Sequence, residues 1–173
     1  MAQNLVSAAS LEAVWQRHFI DSTQLLDHVP RETRTWLDLG TGAGFPGLAV
    51  AIVRPEMDVH LVESRPLRSR WLNEAVKALE LRHVSIAPTP LEKVPTAEYS
   101  VISARAFAPL PRLLRLAARF STSDTTWVLP KGRSAAQELE SLSGWEHTFH
   151  VEQSRTDPQS GIIVGRLSGK KGR

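Results

Sequence analysis

Asp38-Leu39-Gly40-Thr41-Gly42-Ala43-Gly44-Phe45-Pro46-Gly47 joins a short β-like run to an apolar run. Residues 35–39 have the character of a strand, and residues 46–53 read as a buried helix with Pro46 in its first turn. Glycines at 40, 42 and 44 let the backbone turn sharply and let a ligand approach without interference from a Cβ. The helix start beyond them leaves backbone N–H groups without intrahelical partners. A glycine-rich turn between a first strand and a first helix is a ligand loop of alternating α/β folds.

Outward from this loop the alternation continues. Residues 58–62 read as a strand, and residues 66–81 as a helix with Trp71, Leu72, Ala75, Val76 and Leu79 facing inward. Residues 83–87 and 99–103 follow as strands, 110–120 as a helix, 125–129 as a strand and 134–142 as a helix. The last strand spans 161–167, with 145–151 pairing beside it. Upstream, Ser10 caps a helix running to about Val29, its apolar face made by Leu11, Val14, Phe19, Leu25 and Leu26. The expected architecture is a mostly parallel sheet with helices on both faces. It divides into an N-terminal helical segment (1–34), the main domain (35–168) and a basic tail (169–173).

Two ligand classes use a glycine loop of this kind. A dinucleotide site wants Gly-x-Gly-x-x-Gly, whose last glycine allows close helix–strand packing. That position holds Phe45, so the dinucleotide pattern fails. The pattern present is acidic-x-Gly-x-Gly-x-Gly, the form found in S-adenosylmethionine-dependent methyltransferases. Here Asp38 is expected to meet the amino acid part of the cofactor, directly or through water. Glu63 ends the second strand 25 residues after Asp38, where a carboxylate can accept hydrogen bonds from both ribose hydroxyls. Leu91-Glu92 follows the third strand, where this class holds adenine, although taken alone the pair reads more readily as an ordinary loop turn.

Composition removes other chemistries. The 173 residues include no cysteine, which excludes disulfides, thiolate metal sites and attack by an enzyme thiolate on a pyrimidine ring. No metal site is expected. The formal charge of +3 and pI near 9.7 lean toward a polyanionic partner. No apolar stretch is long enough for a bilayer, and residues 1–10 lack a signal-peptide pattern, so a cytoplasmic location is expected. A monomer is the expected state, on which the sequence itself says little.

Arg17-His18-Phe19-Ile20-Asp21-Ser22, Asp38 to Gly47, Leu61-Val62-Glu63-Ser64, Arg105-Ala106-Phe107-Ala108 and Lys131-Gly132 occur in this order. The set resembles the ribosomal RNA small subunit methyltransferase G family, also called glucose-inhibited division protein B, over nearly the whole chain. The resemblance implies a class I methyltransferase fold and methyl transfer from S-adenosylmethionine to N7 of a guanine in the 530 loop of bacterial 16S rRNA. It implies cofactor contacts at Gly40, Phe45, Leu91, Glu92 and Arg105, with Glu63 at the ribose, beside the loop residues Asp38, Gly42 and Gly44. Lys131 is placed as a basic residue near the RNA, within or outside the small subunit.

Guanine N7 carries an exposed lone pair, so its methylation needs no general base and depends chiefly on alignment, for which about 7–11 kcal/mol is available at best. Arg105, after the fourth strand, is suited to the guanine O6 or a phosphate, its bland alternative being a solvated loop arginine. Arg112, Arg115 and Arg119 recur at helical spacing, Arg65, Arg68 and Arg70 flank the second helix, and Lys170 and Lys171 mark the tail. Each group is equally readable as an RNA-tracking surface or a solvated face. His18 reads as a packing residue rather than a catalytic one.

The chain departs from the family pattern at several places. It begins close to the segment matched by Asn4-Leu5-Val6-Ser7, where members usually carry more turns of helix before it. Leu67 and Pro90 stand at usually basic positions, Ser100 at a usually acidic one, and Ala104 where serine is frequent. These touch the RNA contacts more than the cofactor loop. The competing functions are methylation of a small molecule or protein, and a non-catalytic cofactor- or RNA-binding module.

Overall fold

Strand β1 (Thr35–Leu39) is hidden on both faces, Trp36, Leu37, Asp38 and Leu39 having no exposed surface. Such a strand belongs in the middle of a parallel sheet. The computed structural model, which describes residues 15–172, has it there. β1 pairs in parallel with β2 (Asp58–Val62) on one side and β4 (Val101–Ala104) on the other. Beyond β2 lies β3 (Val84–Ala87), and beyond β4 lies β5 (Thr126–Gly132), both again parallel. The edge is completed by antiparallel strands: β8 (Gly161–Lys170) on β5, with β6 (Trp145–His147) and β7 (His150–Gln153) both on β8.

Side chains alternate across the sheet with a period of two, and two cores result. One face holds Trp36, Val59, Leu61, Val101 and Val128 under α1 (Gly47–Val53) and α2 (Pro66–Ala78), through Leu48, Val50 and Leu72. The helical segment of residues 15–28, a succession of π, α and 3-10 turns, adds Leu25 to that core. The opposite face holds Leu37, Leu39, Ile102, Trp127 and Ile163 under α3 (Leu110–Ala117), with Leu110, Leu113 and Leu114, and under α4 (Ala135–Glu140), with Ala135. Helices thus cover both faces, as the alternation of elements implied.

The strand order β3-β2-β1-β4-β5 reverses its direction of growth at β1. In open α/β sheets the crevice at the carboxyl ends of the strands flanking such a reversal is where ligands bind.

Some boundaries differ from expectation. The second helix stops at Ala78 because Glu80 takes a left-handed backbone (φ 53°), and Leu79 is exposed rather than inward. The 145–151 segment forms two strands rather than one. The tail expected from 169 is partly sheet: β8 runs to Lys170, whose pairing with Trp145 and cation–π contact with that ring hold it in place. The N-terminal expectations involving Ser10, Leu11, Val14 and residues 4–7 lie outside the described residues. Among the described residues no helix is long and apolar enough to cross a membrane.

Candidate active site

The loops after β1, β2 and β4 converge at one end of the sheet. Alternation along β1 turns Asp38 toward α1, and register sets it opposite Ser103 of β4. The carboxylate Oδ2 accepts the Gly47 N–H at 3.0 Å, and Oδ1 accepts the Ser103 hydroxyl at 2.7 Å. That hydroxyl oxygen in turn accepts the Trp36 indole N–H at 2.8 Å. Burial pushes the Asp38 carboxyl above the ordinary aspartate range, against its hydrogen bonds and the attraction of Arg105. The sequence expectation for Asp38 is a contact with the amino acid part of the cofactor, directly or through water. The structure puts its carboxylate beneath the loop, its oxygens turned to donors that tie the first turn of α1 to the sheet. Only glycine fits at 47, since a Cβ there would run into Leu61 and lie 3.0 Å from the same carboxylate oxygen.

Glu63, one residue past β2, is almost buried. Its Oε2 accepts the Gly42 N–H at 3.0 Å and its Oε1 the Arg65 N–H at 2.8 Å, while Arg68 Nη1 stands 3.8 Å from Oε2. An ionised carboxylate offers about four lone-pair sites, so acceptor capacity for a pair of hydroxyls remains. Beside it lies a cavity of about 200 Å³ whose wall includes Gly40, Ser64, Pro90, Leu91, Glu92 and Phe107. Leu91 is buried and Glu92 exposed at the start of a 3-10 turn. Arg119 holds this turn by donating Nη2–H to the Leu91 carbonyl at 2.6 Å, with its guanidinium 4.0 Å above the Phe120 ring. Gly40 takes a left-handed conformation (φ 63°), and a Cβ on it would stand 2.5 Å from Phe107. Missing side-chain atoms at Gly40 let Phe107 close that wall. An apolar slot beside a buried carboxylate and a glycine cradle suits a nucleoside.

A larger cavity of about 590 Å³ shares Phe107 and Ala108 with the first and is lined also by Asp21, Arg105, Lys131 and Glu138. Arg105 sits at its edge. Nη1 pairs with Asp21 Oδ2 at 3.6 Å, Nη2 approaches His18 Nδ1 at 3.4 Å, and the guanidinium lies 5.6 Å from the centre of the Phe45 ring. The His18 ring stacks on the other partner of this group, Phe45, with centroids 5.2 Å apart. Burial lowers the pKa of Arg105, opposed by Asp21 and Asp38. Across the cavity the Lys131 ammonium contacts Glu138 Oε2 at 2.9 Å and donates to the Ala108 carbonyl at 2.7 Å. Burial alone would raise the Glu138 carboxyl, but the donors Lys131, Ser134 and Leu110 outweigh it and hold the pKa below the usual value.

The family model described as rRNA small subunit methyltransferase G matches residues 1–158. The ribosomal RNA small subunit methyltransferase G of Erythrobacter litoralis is 63% identical over 169 residues, covering 97% of this chain and 82% of that protein. Its namesake from Novosphingobium aromaticivorans is 56% identical over 173 residues, covering 98% of this chain and 75% of that protein. This chain belongs to the rRNA small subunit methyltransferase G family. The fold is matched by the crystal structure of a SAM dependent methyltransferase from Aquifex aeolicus, with a TM-score of 0.68 at 15% identity, covering 94% of this chain and 98% of that one. The architecture is the class I methyltransferase fold.

In this chain the structure brings Gly40, Gly42, Gly44, Phe45, Glu63, Leu91, Glu92 and Arg105 to one end of the sheet. Lys131 reaches the larger cavity, but its charge is matched by Glu138 and its side chain is only 8% exposed. Arg112 and Arg115 are exposed on α3, with Arg112 at the rim of the smaller cavity, whereas Arg119 is committed to the Leu91 turn. Arg68 is drawn to Glu63, while Arg65 and Arg70 are exposed. His18, read from sequence as a packing residue, stacks on Phe45, and its ring also meets Arg105. Sequence reading gave no role to Asp21, Ser103, Phe107 or Glu138. Asp21 and Phe107 stood inside quoted motifs, but Ser103 and Glu138 carried no local signal.

Proposed function

We propose that this chain transfers the methyl group of S-adenosylmethionine to N7 of a guanine in the 530 loop of bacterial 16S rRNA. S-adenosylmethionine-dependent methylation of small-subunit ribosomal RNA comes with family membership; the base and the atom are the proposed part. One observation carries the reading: a nucleoside-sized cavity and a larger, open one meet at Phe107 and Ala108. A donor in the first and a base in the second would adjoin across that boundary.

The cofactor supplies an electrophilic methyl on a sulfonium. The chain's residues supply position. The Gly40–Gly44 turn admits the amino acid part closely, Glu63 accepts from the ribose, and the Leu91 turn with Phe107 walls the adenine. Arg105, charged at neutral pH because a guanidinium keeps its proton, faces the larger cavity and offers N–H donors to O6 or a flanking phosphate. Guanine N7 brings its own lone pair, so no residue has to remove a proton before attack. Arg112 and Arg115 are the exposed charges suited to RNA phosphates. The organisation we assign is an N-terminal segment to residue 34, helical over 15–28, a catalytic domain from 35 to the end of β8 at 170 and a short basic end beyond it, acting as a cytoplasmic monomer on the rRNA, free or within the small subunit.

Transfer of labelled methyl to small subunits from bacteria lacking the modification, followed by nucleoside mass analysis, tests this. The expected product is 7-methylguanosine in the 530 loop, formed much more slowly but still measurably with Arg105→Ala. Label on another nucleoside, or on a protein, would replace the assignment.

A further inference from the structure

The Asp21 carboxylate binds in two directions. Its Oδ2 pairs with Arg105, and its Oδ1 accepts the Thr156 hydroxyl at 2.7 Å and the Gln24 amide at 2.8 Å. Gln24, almost fully buried, continues the network: its Nε2 donates to Ser154 Oγ at 3.2 Å and its Oε1 accepts the Arg155 N–H at 2.8 Å. Ser154 Oγ lies 3.0 Å from Thr156 Oγ1. Three separate parts of the chain therefore meet on one carboxylate: the N-terminal helical segment, the loop after β4 and the stretch leading into β8. Asp21, Arg105 and Ser154 all line the larger cavity.

A guanidinium on a long side chain loses several rotatable degrees of freedom when it is fixed. A carboxylate held by two other donors is a rigid point to fix it against. The contact also directs one edge of the planar fork toward Asp21 and another toward His18, over the Phe45 ring. Its position relative to the cofactor loop is set before substrate arrives, which is how a site avoids reorganising during reaction.

Resting on the function proposed above, we infer that Asp21 is the positioning residue of Arg105: it orients the guanidinium between cofactor loop and base cavity, and couples that orientation to the 154–156 strap. Asp21 touches neither reacting atom; it acts through Arg105. The nearest alternative is that Asp21 only pins the strap to the helical segment.

A double-mutant cycle on the full chain separates the two. Single-turnover methylation of unmodified small subunits is measured for wild type, Asp21→Asn, Arg105→Ala and the double variant. Asn keeps an oxygen for Thr156 but removes the charge. The expected result is a loss of about tenfold or more for Asp21→Asn, since misplacement of a catalytic group by about 1 Å can cost a hundredfold. No further loss is expected in the Arg105→Ala background, and the loss of rate should exceed any loss of S-adenosylmethionine affinity or Tm. Equal loss in both backgrounds would overturn the inference in favour of strap-pinning alone. The side-chain Nε–H resonance of Arg105, assigned by its disappearance in Arg105→Ala, gives a readout that needs no substrate. It should shift and broaden in Asp21→Asn, and partly so in Thr156→Val, a variant that also serves if Asp21→Asn does not fold. An unmoved resonance in the variants would overturn the inference. Failure of wild type to methylate guanine N7 would retire the proposed function and leave the resonance to decide the Asp21 assignment.

Discussion

Asp38 and Gly47 are joined across the whole glycine loop, the carboxylate Oδ2 accepting the Gly47 N–H at 3.0 Å. The loop is therefore closed at both ends by one buried side chain, and its shape depends on a carboxyl group that has no contact with solvent. Burial raises the Asp38 pKa, so the folded protein binds this proton more readily than the unfolded chain does. Its contribution is largest below the ordinary aspartate value of 3.8 and declines as pH rises through the elevated folded value. Urea unfolding of wild type and Asp38→Asn across that window should show the wild type losing ground relative to the variant as pH rises, then a constant difference. A difference that grows with pH would mean the carboxylate is stabilised, not strained, by its site.

Glu63 braces the same loop from the other side through the Gly42 N–H. Glu63→Gln leaves one acceptor oxygen for two backbone donors, the Gly42 and Arg65 amides, and turns an NH₂ toward the other. A hydrogen bond to a charged group is worth about 1.5–3 kcal/mol, so S-adenosylmethionine affinity should fall by roughly ten- to a hundredfold. Titration calorimetry reads this directly. Unchanged affinity would remove Glu63 from the cofactor site.

Phe107 and Gly40 form a tighter relationship than any pattern of glycines reveals. Gly40→Ala places a Cβ 2.5 Å from the ring at a left-handed φ, a backbone conformation costing a non-glycine residue about 1–2 kcal/mol. Phe107 must move, and the wall of the smaller cavity moves with it. The expected outcome is a folded protein of lower Tm whose cofactor binding is weakened more than its stability. Gly144→Ala, also at positive φ but with nothing near its Cβ, is the control for backbone strain alone.

Much of this site was legible because its signals are local. The Asp38–Gly47 stretch carries its own turn chemistry, and the strand–helix alternation places Glu63 and Arg105 at strand ends. What was not legible depends on register and long-range pairing. Ser103 meets Asp38 only because β4 aligns opposite β1 in one register, and nothing near residue 103 announces it. Glu138 neutralises Lys131 across a loop and a helix start, so a lysine that reads as an open cation in sequence is an internal one in three dimensions. Asp21 reaches Thr156 across 135 positions of chain. The tail misled for a related reason: Gly169 and Lys170 read as a solvated end, yet pairing with β6 makes them strand.

The three basic residues expected at the RNA separate on this ground. Lys131 is committed to Glu138 and Ala108, whereas Arg112 and Arg115 are exposed on α3. Each phosphate neutralised contributes about −0.7 to the slope of log K against log salt for single-stranded nucleic acid. Binding of a 530-loop RNA fragment should therefore show a shallower salt dependence for Arg112→Ala and Arg115→Ala, by up to about 0.7 each on that scale. Lys131→Met should leave the slope as it is and instead lower stability by about 1–3 kcal/mol, the loss of the charge-assisted bonds its ammonium makes to Glu138 and the Ala108 carbonyl, Glu138 keeping its Ser134 and Leu110 donors. A reduced slope for Lys131→Met would show that the ammonium leaves Glu138 for a phosphate when RNA binds, and would return it to the interface.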